Sequence, residues 1–164
     1  MAAGNTYVAL ATNTLASAVG SVTFSSISGA YTDLVLVCNA TSSSGSPNGL
    51  FLQVNSDTGT NYSSTRLYGT GSAVTTVRES TTDRIMTGWT SSTGMTTMIT
   101  HLMSYANTNV FKTTISRTSD SVSRVNITAG LWRSTSAITS ITVISESTNF
   151  NIGSTFSLYG IAAA

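Results

Sequence analysis

The chain has 164 residues, of which 28 are Ser and 30 are Thr, while Lys, Arg, Asp and Glu together contribute 13. A charged fraction of 8% with a net charge of +1, where soluble domains carry roughly a quarter, excludes an electrostatic case for nucleic acid or an anionic membrane. A hydrophobic content of 40% excludes the disordered class, and the length predicts one domain over residues 1–164.

Thr is β-branched and suits a pleated surface, and one Lys, one Gln and two Glu leave little to favour helix. Tyr7 to Thr12 and Ser21 to Ser25 read as the first strands. Asp33 to Ala40 is apolar at successive positions, which predicts a central strand buried on both faces. Thr41 to Gly49 holds the sole proline and reads as a loop. Leu50 to Val54 alternates around Gln53, Ser56 to Gly59 is a tight turn, and Tyr62 to Tyr68 follows. Gly69 to Gly71 turns the chain into Ala73 to Glu79, then Arg84 to Trp89. A turn over Ser91 to Gly94 leads to Thr96 to Tyr105. Val110 to Arg117 places Phe111, Thr113 and Ile115 on one face and Lys112, Thr114 and Ser116 on the other. Thr118 to Ser121 is a candidate turn before Val122 to Leu131, Ile138 to Ser145 and Thr155 to Ile161. About a dozen short strands at roughly 8–12-residue spacing predict an all-β, antiparallel, jelly-roll-like sandwich.

The stretch from Met1 to Leu15 is uncharged and carries Tyr7, Val8, Leu10 and Leu15 as interface candidates. Two readings stand: the first strand of the chain's own sandwich, or an extended arm docking on a neighbouring sheet edge. The ends, Met1 to Gly4 and Ala162 to Ala164, are small and apolar and are expected to fray.

No constellation of residues points to catalysis, and no catalytic residue, cofactor or metal is expected. Asp57-Thr58-Gly59 matches the aspartic-protease triplet, but polar neighbours on both sides favour a hairpin turn. Asn55, Asp57 and Asn61 alternate like calcium-loop oxygens without the bidentate Glu such a loop requires. His101 is the sole histidine, lies on a predicted strand and reads as structural. Asp33, Asp57, Asp83, Asp120, Glu79 and Glu146 lack the aromatic flanks of a glycosidase pair. Cys38, the single cysteine, sits inside Leu34 to Cys38 and reads as a buried small hydrophobe. The aromatic residues are scattered, mostly one per strand, which favours packing over a sugar platform. Low charge and near-zero net charge predict an oligomer with edge strands protected at subunit contacts.

The segments Gly130-Leu131-Trp132-Arg133-Ser134-Thr135, Ala137 to Ile141, Asn149-Phe150 and Gly153 to Ile161 resemble the C-terminal half of small virion structural proteins of tailed bacteriophages, cyanobacterial and marine ones especially. Tyr7 to Leu15, Ser21 to Ile27, Tyr31 to Leu36 and Asn55 to Ser63 extend the resemblance over almost the whole chain. It implies a non-enzymatic jelly roll on the particle surface, often a homotrimer. The leading expectation is a capsid cement or decoration protein that trimerises and stabilises the lattice of the major capsid protein. The alternative is a tail-fibre or receptor-binding module recognising host cell-surface glycan. The first 30 residues hold no Lys or Arg, hence no positive n-region of a secretory signal. Synthesis in the host cytoplasm and residence on a particle released by lysis are expected.

Overall fold

The computed structural model describes residues 6–43, 47–120 and 124–162, and its regular structure is entirely β. Twelve strands follow in order: β1 (Tyr7–Thr14), β2 (Ser21–Phe24), β3 (Asp33–Ala40), β4 (Asn48–Val54), β5 (Tyr62–Gly69), β6 (Val74–Thr82), β7 (Ile85–Thr90), β8 (Thr96–Met103), β9 (Lys112–Asp120), β10 (Val125–Trp132), β11 (Ile141–Ser145) and β12 (Thr155–Ile161). They form an eight-stranded sheet, ordered β1-β12-β3-β8-β9-β10-β5-β6, and a four-stranded sheet, ordered β2-β11-β4-β7. All pairs are antiparallel, and the two sheets pack as a sandwich.

Each predicted strand has its counterpart, and β3 and β12 have the expected bounds. Some boundaries move for identifiable reasons. The turn expected at Thr118 to Ser121 is strand as far as Asp120, because Thr118 and Ser119 pair with β8 and β10; residues 121–123 lie outside the described ones. The expected strand from Ile138 begins only at Ile141. Ile138 donates its N–H to Tyr105 O at 2.9 Å instead of joining a ladder. The turn after β4 closes earlier than expected: Asp57 N bonds Val54 O at 3.0 Å, with Asn55 and Ser56 at φ 52° and 53°. Asn tolerates positive φ, and the turn passes the chain from the smaller sheet to the larger one, since β4 and β5 do not pair. Of the loop over Thr41 to Gly49, residues 44–46 lie outside the described ones, and Asn48 and Gly49 already belong to β4. Residues 1–5, 163 and 164 also lie outside them.

The apolar core lies between the smaller sheet and the β1-β12-β3-β8 half of the larger one. Leu34, Leu36 and Cys38 from β3, Phe156 and Leu158 from β12 and Met98 and Leu102 from β8 face Val22, Phe24, Leu50, Leu52, Ile141 and Val143. Phe150 and Phe156 pack edge to face at 5.0 Å. Leu36, Leu50, Leu52, Phe150 and Phe156 are fully buried. Each such side chain contributes about 1.5–3 kcal/mol relative to an exposed one.

The other half is built differently. Beneath β7, the inward side chains of β9, β10 and β5 include Lys112, Thr114, Ser116, Thr118, Asn126, Thr128, Ser64 and Arg66, all buried; in the row that Lys112 shares with Trp132 and Tyr62, those two rings join the apolar cluster. Thr100 and Ser116 share a hydrogen bond at 2.9 Å; Thr118 Oγ1 and Asn126 Nδ2 both donate to Thr87 O at 2.9 Å. Arg66 pairs with Glu79, Nη2 to Oε1 at 2.9 Å and Nη1 to Oε2 at 2.8 Å. Gly88 lets β7 come this close: a Cβ there would lie 2.5 Å from Thr118 Oγ1.

Candidate functional site

The side chains with chemical potential are bound into the framework. Asp57 accepts hydrogen bonds from Gly59 N at 2.8 Å, Asn61 Nδ2 at 2.9 Å and Trp132 Nε1 at 2.6 Å. The Trp132 bond, then that of Asn61, holds its carboxyl below the usual carboxylate range. Asn55 turns away from it: Oδ1 accepts from Thr139 N and Ser140 N at 2.8 and 3.1 Å, and Nδ2 donates to Ala137 O. The Asn55, Asp57 and Asn61 oxygens therefore do not converge on a common point. The turn at Asp57 is not the expected hairpin, because β4 and β5 lie in different sheets; through Trp132 it ties β10 to that connection.

His101 Nε2 lies 3.2 Å from Asp33 Oδ2, while Asp33 Oδ1 accepts Ser104 N at 2.6 Å. Glu146 Oε2 accepts Gly49 N at 3.0 Å, and Asp83 lies 3.5 Å from Arg84 Nε. Among the described residues, no group of three or more His, Cys, Asp or Glu is placed to hold a metal ion. Cys38 is buried, which pushes its thiol up. Tyr62 is pushed up to about 12 by burial, its hydroxyl accepting Val54 N at 3.2 Å and meeting Asp57 O at 3.0 Å.

Lys112 is the least expected member of the interior. Its Nζ donates to Asn107 O, Val110 O and Thr135 O at 2.5, 2.7 and 3.0 Å, three carbonyls drawn from two loops. All three ammonium protons thus have acceptors, which offsets part of the desolvation that lowers its pKa.

The surface that stands out is the outer face of the eight-stranded sheet. Cross-strand partners share a face, so the registers define rows across it. One row runs Val35, His101, Ile115, Ala129, Thr65, Arg78, and the next runs Val37, Ile99, Arg117, Ile127, Leu67, Thr76. A third ends in Val125, Gly69 and Val74. Ile115, Leu67, Ile127 and Val125 are 45%, 48%, 53% and 64% exposed. On β9 and β10 Ile115, Val125 and Ile127 thus face solvent while Thr, Ser and Asn face inward beside Trp132, largely the reverse of a half-buried antiparallel strand. Two shallow depressions mark this face. One, of about 340 Å³, is lined by Tyr7, Val35, Ile99, His101, Ile115 and Arg117. The other, of about 310 Å³, lies among Thr97, Ile99, Arg117, Ser119 and Val125.

The four interface candidates do not share this surface. β1 pairs with β12 in the chain's own sheet from Tyr7 to Thr14, with a register shift between Ala9 and Ala11. Tyr7 lies on the outer face, in edge contact with Tyr159 at 6.5 Å. Val8 is half-buried, and Leu10 packs against the core beside a cleft of about 410 Å³ with Phe24, Ile27, Tyr31 and Leu158. Leu15 is core. The outer-face residues were missed although their signal is in the sequence: Val125, Ile127, Ala129 and Leu131 alternate with Asn126, Thr128 and Gly130. Alternation sets the period and leaves open which parity faces inward.

Comparison of the chain with protein-family models, with curated proteins and with solved structures finds no match in any of the three.

Proposed function

We propose that this is a structural virion protein, a capsid decoration protein that trimerises and stabilises the lattice of the major capsid protein. The observation that carries the reading is the apolar outer face of the eight-stranded sheet, borne by a chain with only 13 charged residues among 164. Contiguous apolar surface of that kind marks an interaction site. A framework with its ionisable groups tied into backbone hydrogen bonds suits a rigid building block better than a site that must rearrange. The resemblance to small tailed-phage virion proteins supports the same reading. Binding energy in such a lattice comes from apolar area buried at each contact and repeated over many symmetric copies.

Copy number in purified particles tests the proposal. Hundreds of copies per particle are expected, distributed over the capsid. A few copies confined to the tail, with retention on a glycan array, would establish the receptor-binding alternative in its place.

A further inference from the structure

Asp33 and Arg78 stand toward opposite sides of the apolar face, and that asymmetry bears on what covers it. We propose that the outer face of the eight-stranded sheet is a contact between copies of this chain, arranged about an axis parallel to its strands. The inference rests on the proposed assembly and names the surface that builds it.

Size is the first argument. Eight strands about 4.8 Å apart and about seven residues long make a face of roughly 900 Å² in projection. Each partner in a stable interface contributes about 800 Å². The inverted polarity of β9 and β10 is the second. Ile115 and Ile127 keep about half of their surface in water in a single copy, and burial against a neighbour supplies the missing transfer energy.

Charge decides the occupant. Asp33 lies on β3 and Arg78 on β6, five strand spacings apart in the sheet order, or about 24 Å. Arg78 is level with Val35, one outward position from Asp33, through the register Val35, His101, Ile115, Ala129, Thr65, Arg78. Rotation about an axis parallel to the strands, twofold or threefold, sets the β3 side of one copy beside the β6 side of the next. A carboxylate then meets a guanidinium at each junction. Between them the charged or ionisable side chains of the two rows are His101, already paired with Asp33, and Arg117, beside the depression that includes Tyr7 and Ile115; the rest are apolar or uncharged, such as Thr65. A second copy is therefore self-complementary to this face, as an unrelated partner need not be.

The test uses the full chain in solution, with mass from light scattering at micromolar concentration and fold from circular dichroism. The wild type should be an oligomer, and Ile115→Glu with Ile127→Glu should give a folded monomer. Thr23→Glu with Gln53→Glu, on the outer face of the smaller sheet, should leave the assembly intact. Arg78→Glu should raise the dissociation constant about two- to fivefold, the scale of an exposed ion pair. If the Glu pair fails to fold, Ile115→Thr with Ile127→Thr gives the same readout more gently. A monomeric wild type, an outer-face variant that assembles normally, or dissociation by the smaller-sheet variant alone would each overturn the proposal. Assembly through this face by a protein absent from purified particles would sink the virion reading and leave the interface standing. Heavy decoration of particles by a chain monomeric in solution would do the reverse.

Discussion

The sandwich contains two interiors of opposite chemistry, built from the same strand alternation. Where β12, β3 and β8 meet β2, β11 and β4, the inward residues are Leu, Val, Phe, Ile and Met. Where β9, β10 and β5 lie beneath β7, they are mostly Thr, Ser, Asn, Arg and Lys, with Tyr62 and Trp132 at one end. The first half draws its stability from transfer of apolar surface. The second relies on hydrogen bonds with a net value of about 1 kcal/mol each, and Thr114 Oγ1 and Asn126 Oδ1 remain buried with no partner among the described residues. Of its apolar side chains, Leu67, Ile115, Val125 and Ile127 point outward. One half is closed by apolar packing within a single copy, while the other leaves Ile115, Val125 and Ile127 exposed.

The largest effect should come from the apolar half. Phe156→Ala removes a fully buried ring packed on Phe150 and is expected to cost about 3–5 kcal/mol in chemical denaturation. A value near 1 would erase the distinction between the two interiors. Lys112→Met should come next, at about 2–3 kcal/mol, because it strands three carbonyls that the ammonium now satisfies. Its pH dependence has a definite sign. Burial lowers the folded-state pKa below the ordinary 10.5, so between the two values the unfolded chain holds more protons. The destabilising contribution is present at neutral pH and is relieved as pH rises through that window, a rise that Lys112→Met should abolish.

A double-mutant cycle sharpens the contrast. Thr100→Val alone should cost about 1–2 kcal/mol by leaving the Ser116 hydroxyl unpaired, whereas Thr100→Val with Ser116→Ala should be close to neutral. A double variant as damaged as the sum of the singles would mean the polar layer stabilises in its own right. The smallest effect is expected at Ile127→Thr on the outer face, within about 0.5 kcal/mol for the monomer's fold. A larger loss in thermal or denaturant unfolding of the monomer would show that outer-face residues already support the single copy.

Strand existence was legible because period-two patterns and turn residues are local. Asp33 to Ala40, from its apolar run, and Thr155 to Ile161, from its alternation, could be bounded to the residue. The parity of β9 was not legible. Phe111 and Ile115 against Lys112 and Ser116 describe two faces equally well, and only the covering strand β7, with its own inward Thr87 and its Gly88, selects the polar one. Lys112 was equally hidden, since its acceptors come from Asn107, Val110 and Thr135 after the loops have closed. The candidates Tyr7, Val8, Leu10 and Leu15 were grouped by proximity in sequence. Strand alternation and the irregularity between Ala9 and Ala11 send them to the outer face, the interior and the cleft. The Asp57 bond to Trp132 spans 75 positions and had no local signature.

The position of β12 has a consequence for how the protein is made. It lies between β1 and β3, and β11 likewise lies between β2 and β4, so both sheets are completed by strands translated late. β1 and β2 have no ladder to join until Ile141 to Ile161 has left the ribosome, whereas β3 and β4 can pair earlier with β8 and β7 on one edge each. Until then the nascent chain carries β3 and β4 with one edge each unpaired, a state open to wrong pairing. Ribosome-tethered chains ending before Thr155 should accordingly be protease-sensitive, with protection arriving in one step once β12 can slot into place.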